Sequence, residues 1–201
     1  MKNIIIRALI FLFLLYAGSG LFANTGRVLI GDRNSNENLN LHNGAAVTIT
    51  YPHEKGHDGL QFETCTINID VADEASTNML LNPGYEAHLV GSVSSEGKAY
   101  VFLYEDPSTT GGTTINVICT NRNNPKTTTS TIHFNPTISS VGTKLTCELL
   151  NGGEGPRSPG GSASRAVEWI LDPDKTYLLQ IVNKAGSAKD HGVNLIWYEE
   201  Q

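Results

Sequence analysis

The chain has 201 residues, a hydrophobic share of 39% and a formal net charge of −6. That length fits one domain with a substantial core, and the acidic balance, with no local Lys/Arg cluster against it, excludes a basic surface for nucleic acid or anionic lipid. Gly, Thr, Asn and Ser are plentiful and helix-favouring runs are scarce, so short strands and many turns are expected.

Residues 1–23 have the layout of a secretion signal peptide. Lys2 and Arg7 form a basic start, and Ala8 to Ala17 is an apolar run too short to span a bilayer. Ala17-Gly-Ser-Gly-Leu-Phe-Ala23 then offers small residues for cleavage after Ala23. The alternative is an uncleaved membrane anchor extended through Leu21 and Phe22. Residues 24–44 read as a polar arm: Val28-Leu-Ile30 is apolar, and the Asn-rich stretch behind it favours turns. The remaining residues, 45–201, are expected to form one domain.

Within that domain, Ala45 to Tyr51 reads as a strand. Phe62 to Val71 is a second, with Phe62, Thr64, Thr66 and Asn68 on one face and Cys65, Ile67 and Ile69 on the other. Asn82-Pro-Gly84 is a turn, and strands Tyr85–Ser94 and Lys98–Tyr104 flank Ser95-Glu-Gly97. A short repeat follows. Tyr104-Glu-Asp-Pro107 leads to Gly112-Thr113, and Phe134-Asn-Pro136 leads to Gly142-Thr143, which predicts two similar strand-turn-strand corners. Asn121 to Ser130 and Asn151 to Ser164 read as loops. The closing segments alternate, with Tyr177, Leu179 and Ile181, then Val193, Leu195 and Trp197, facing a core. The expected fold is all-β, an antiparallel β-sandwich of jelly-roll type.

Export would place Cys65, Cys119 and Cys147 in an oxidising space, and three cysteines allow at most one intrachain pair. Cys119 and Cys147 each lie an even number of residues beyond the Thr of a Gly-Thr turn, which makes them the candidate disulfide. The alternative is three buried thiols acting as small hydrophobes.

His53-Glu-Lys-Gly-His57 matches His-Glu-x-x-His, the zinc-hydrolase pattern, which needs a helix to bring both imidazoles to one metal. Pro52, Gly56 and Asp58-Gly59, between two expected strands, argue against a helix there. The segment is therefore expected to be a loop whose His pair bonds backbone or meets a subunit. A metal at His53, His57 and Asp58 is the alternative. Glu105-Asp106, Asp172/Asp174 and Glu199-Glu200 are expected to be solvated carboxylates. Trp169, Trp197, Tyr177 and Tyr198 could line a sugar-binding face, although sandwich core is the commoner use of such residues. No nucleophile elbow or phosphate loop occurs, so no catalytic residue and no cofactor is expected.

Several ordered features carry a resemblance. They are Tyr51-Pro-His53-x-x-x-His57-x-Gly59-x-x-Phe62, Phe102-Leu-Tyr-Glu105 with its Pro turn and Gly112-Thr113, and Asn121-Arg122-Asn123. Phe134-Asn-Pro136-Thr137 with Gly142-Thr143, the loop at Gly152-Gly153, Trp169-Ile-Leu-x-Pro-x-x-Thr176-Tyr177-Leu178, Asn183 and Trp197-Tyr198-Glu199 continue it. From Tyr51 to Glu199 the chain resembles tailed-bacteriophage virion structural proteins of the head-decoration or fibre kind. The resemblance implies a β-sandwich structural component and a His-x-x-x-His-x-Gly element in which Glu54 is incidental.

The expected function is therefore structural: a non-enzymatic subunit of a virion or of a secreted extracellular assembly. Its partners would be other protein subunits, and it would touch a membrane only through an uncleaved leader. A secreted carbohydrate-binding or adhesion module taking a glycan is the first alternative. A secreted zinc hydrolase is the second.

Overall fold

The computed structural model describes residues 41–42, 45–46, 51–152, 161–164 and 168–201. The chain divides into two units, Met1–Ile49 and Thr50–Gln201. The expected signal peptide and the Val28-Leu-Ile30 run lie outside the described residues, as do residues 47–50 of the expected first strand. In the first unit, β1 (Leu41–His42) pairs antiparallel with β2 (Ala45–Ala46).

The second unit opens with a helix where a loop was expected, α1 (Tyr51–His57). Pro52 sits in the first turn, where a missing N–H costs nothing and a fixed φ helps. Glu54 lies in the first turn and Lys55 and His57 in the last, each sign matching the helix dipole. Asp58 N donates to Glu54 O at 2.9 Å and Leu60 N to Lys55 O at 2.9 Å. Gly59, at φ +76°, turns the chain out, and a Cβ there would lie 2.5 Å from Asn124 O. Breaker residues that argue against a long helix are thus compatible with one of seven residues.

The strands that follow are β3 (Gln61–Val71), β4 (Ser76–Asn82), β5 (Glu86–Ser95), β6 (Ala99–Glu105), β7 (Ser108–Thr110), β8 (Thr113–Ile115) and β9 (Ile118–Cys119). Then come β10 (Thr131–Phe134), β11 (Thr137–Ser140), β12 (Thr143–Leu150), β13 (Gly161–Ser164), β14 (Trp169–Leu171), β15 (Tyr177–Asn183) and β16 (Lys189–Glu200). One sheet runs β13-β5-β16-β3-β9, with β14 also on β5; the other runs β12-β6-β15-β4-β10-β8. Every described pairing is antiparallel, and the pairs are nested. β16 lies between β3 and β5, and β15 lies between β4 and β6. β13 occupies the last four residues of the expected 151–164 loop, pairing with β5.

The fold is all-β and sandwich-like, because one apolar cluster draws on both sheets. Phe62, Leu89, Val93, Leu195 and Trp197 come from one sheet, and Met79, Leu81, Leu103, Ile132, Tyr177 and Ile181 from the other. A cavity of about 60 Å³ remains between them, lined by Met79, Leu81, Val93, Leu103 and Leu195 among others. That is far below the few hundred Å³ of a small-molecule site, so it is a packing gap.

Alternation along β15 and β16 matches expectation on the inner face, but the outer faces are not uniformly wet. Leu178 has no exposed surface, and its register neighbours Leu80 and Tyr104 are buried in the same row. The repeated corners also have a common backbone. Asp106 and Asn135 precede their prolines at φ +52° and +47°, and Gly112 and Gly142 lie just before β8 and β12 at +96° and +80°. A Cβ on Gly142 would lie 2.2 Å from Glu105 O, so only glycine fits. The strands behind the two prolines, β7 and β11, pair with each other.

Candidate functional site

Helix α1 brings together the two histidines that the sequence singled out. At i and i+4 they share one helix face. Both are exposed, with Nε2 atoms 2.9 Å apart and ring centroids 4.6 Å apart. The opposite side of the helix is anchored. Tyr51 meets the Tyr198 ring edge-on at 5.7 Å, and its hydroxyl donates to Glu200, which also accepts from Lys55 Nζ at 2.8 Å. Burial pushes the Glu200 carboxyl up, but the bonds from Lys55 and Tyr51 outweigh it and hold it below its usual range. Asn121 Nδ2 donates to His57 O at 2.7 Å and fastens the helix end to the next loop. Beside the pair lies an open cleft of about 500 Å³ lined by Gln61, Thr120, Asn121 and Arg122. Asp58 is exposed just past the helix, and among the described residues no three His, Cys, Asp or Glu side chains converge as metal ligands.

The same end of the sandwich holds a buried carboxylate. Glu199 has 0% exposure, which corrects the expectation of a solvated terminal pair. It continues the inward parity of Val193, Leu195 and Trp197, and that parity was the available signal. Its carboxylate accepts from Trp197 Nε1 at 3.0 Å, Ser130 Oγ at 2.7 Å, Thr128 Oγ1 and Gln201 Nε2 at 2.8 Å. Neutral donors thus replace water around a buried acid, and they tie the 121–130 loop to the last strand. Tyr198, one residue earlier and outward, is stacked on His88 at 4.5 Å. Burial, then a bond to Glu168, raises the Tyr198 hydroxyl pKa well above its usual value.

At the other end of β3 the arrangement reverses. Only Phe62 and Glu63 pair with β9, so residues 64–71 have a described strand partner on the β16 side alone. The face division expected for this strand holds, with Phe62 and Thr64 buried and Cys65, Ile67 and Ile69 outward. Ile67 and Ile69 are 73% and 66% exposed, and Val90 and Ile170 of the same sheet are exposed as well. Beneath them His191 is buried, with Nδ1 2.9 Å from Thr77 Oγ1, which also accepts from Asn68 Nδ2. Burial lowers the His191 pKa, against a smaller opposing effect of Asp190.

The three cysteines are free thiols, so the Cys119–Cys147 pairing is not formed. Cys119 is buried on β9 and donates to Gly59 O at 3.3 Å. Cys147 is exposed on β12, in the other sheet. Spacing from a Gly-Thr turn aligns them in sequence, yet β8 ends at Ile115 and the chain crosses to the other sheet at β9, which holds Cys119, whereas Cys147 lies on β12 itself.

Of the aromatic residues weighed as core or as a sugar face, Trp197, Tyr177 and Tyr198 are buried, in line with the core reading, and Trp169 is half-buried. A different row, Tyr100–Phe102–Tyr104 on β6, runs along the outside of the second sheet. Its ring planes differ by 77° and 38°, and lysines 98, 184 and 144 lie over the first two rings. Period two along β6 makes the row legible in the sequence. No protein-family model matches the chain, and no curated protein matches it.

Proposed function

We propose that this chain is a non-enzymatic structural subunit, built as a jelly roll behind a cleaved leader. It repeats on a phage virion or an exported extracellular assembly, with other protein subunits as its partners. The nested pairing supports the jelly-roll reading. Taking β3, β4, β5, β6, β12, β13, β15 and β16 as eight principal strands gives two sheets in the order first-eighth-third-sixth and second-seventh-fourth-fifth. The segment from β7 to β11 is then an insertion between the fourth and fifth.

The observation that carries the assembly reading is the bare half of β3. Backbone groups of 64–71 that face away from β16 have no described strand partner, and Ile67 and Ile69 stand outward beside them. An edge of this kind templates pairing with another chain unless it is blunted, and the bulge at Asp70 (φ +52°) blunts only its last residues. An arm strand such as Val28-Leu-Ile30 from a neighbouring subunit would complete it.

The test is the oligomeric state of the full chain by light scattering and electron microscopy, beside an Ile67→Lys/Ile69→Lys variant and a deletion of residues 24–44. Assembly by the wild type, lost in both variants with circular dichroism unchanged, is expected. A wild type that stays monomeric at all concentrations, or variants that assemble normally, ends this reading. A carbohydrate-binding module is favoured by the Tyr100–Phe102 row, but rings 77° apart offer no flat platform for a sugar, and this reading ranks second.

A further inference from the structure

We infer that His53 and His57 form a two-imidazole chelate for a tetragonal divalent ion of the Cu(II) or Ni(II) class. The first ground is convergence. Two neutral imidazoles that present Nε2 atoms to one point offer two lone pairs to a metal, and among the described residues each ring's only recorded side-chain partner is the other. A single hydrogen bond between two exposed rings is a weak reason to hold them together, because water competes for both nitrogens.

The second ground is preorganisation. The helix carrying the pair is fixed on its far side by Tyr51 and Lys55 to Glu200, and at its end by Asn121 on the His57 carbonyl. Holding the ligands before the ion arrives removes part of the ordering cost of binding. His57 closes the helix, where the dipole favours a cation, and Glu54 and Asp58 supply negative charge close by in the chain. The cleft beside the rings leaves room for water in the remaining coordination positions.

The third ground is the donor set. Two imidazole nitrogens with water oxygens in the remaining positions make the mixed nitrogen–oxygen set of tetragonal Cu(II) and Ni(II), whereas Zn(II) takes four protein ligands in a closed site and three in an open one. The chelate has two protein ligands and open positions, so it differs from the three-ligand hydrolytic centre suggested by the sequence pattern.

The experiment titrates the purified full chain with Cu(II), Ni(II) and Zn(II) by calorimetry, and follows Cu(II) by electron paramagnetic resonance. The exposed Cys65 and Cys147 thiols are alkylated first, since thiols reduce Cu(II) and bind all three ions. One Cu(II) per chain with nitrogen hyperfine structure is expected, and Ni(II) should bind at least as tightly as Zn(II). His53→Gln and His57→Gln should each weaken binding on the order of tenfold or more, with an unchanged melting temperature. No stoichiometric Cu(II), or equal binding by the double variant, overturns the site. Zn(II) binding more tightly than Ni(II) overturns its tetragonal character.

Discussion

The two halves of β3 make one strand with two environments. At Phe62 and Glu63 it has β16 on one side and β9 on the other, with Tyr51 of α1 packed on Tyr198 at the same end of the sheet. From Thr64 to Val71 its one described strand partner is β16, and Ile67 and Ile69 face outward. Both ends mix polar and apolar residues: the covered end sets Glu199, Glu200, His88 and Lys55 beside Phe62, Trp197 and Tyr198, and the bare end sets Ile67 and Ile69 beside Asn68 and Asp70. Hydrogen bonding accounts for the polar groups at the covered end. Polar groups can be covered when each finds a partner, whereas apolar side chains left outward are free to meet a second surface.

Breaking the covered end at its centre should have the largest effect. Glu199→Leu leaves the donors of Thr128, Ser130, Trp197 and Gln201 facing an apolar group, and a loss of about 3 kcal/mol or more is expected in urea denaturation. Glu199→Gln should lose less, because an amide oxygen still accepts.

Acidification tests the buried residue beneath the bare half. The His191 pKa is lowered in the folded chain, so the unfolded chain takes up a proton first as the pH drops. This contribution to stability is intact above the usual histidine value of 6.5 and is lost as the pH falls below it. A His191→Leu variant should show a flatter stability profile between pH 7.5 and about 5. An unchanged slope in the variant would remove His191 from the account.

Detaching the helix should cost less. A Tyr51→Ala/Lys55→Ala variant removes one ring contact and two bonds to a partly exposed carboxylate, so about 1 kcal/mol is expected. Ni(II) affinity should fall with it, since the His pair would lose its support. Smallest of all, Ile67→Lys/Ile69→Lys should shift monomer stability by no more than about 0.5 kcal/mol, measured under conditions that keep the chain monomeric. The comparison sharpens if that variant stops assembling while remaining as stable as the parent.

Much of this architecture was legible from alternation alone. Tyr177 and Ile181, with Val193, Leu195 and Trp197, face inward as period two demands, and the Asn/Asp-Pro and Gly-Thr repeat marks two corners of the same backbone. Parity reaches further than hydropathy suggests: Glu199 sits where the next apolar residue would be. Helix α1 is not legible, because Pro52, Gly56 and Gly59 count against a long helix, whereas a seven-residue one holds Pro52 in its first turn and Gly56 near its end, and leaves Gly59 just beyond it.

By itself the sequence determined the class of structure, because side-chain parity and turn residues are local properties that any neighbourhood must respect. It determined the composition of each face of β3 but not which face would be covered. Tertiary structure alone decided that Ile67 and Ile69 stay outward, that Glu199 finds its donors in a loop some seventy residues away, and that Cys119 and Cys147 fall in different sheets. Such outcomes depend on which strands become neighbours, and strand pairing joins residues far apart in the chain through backbone groups that are nearly the same at every position.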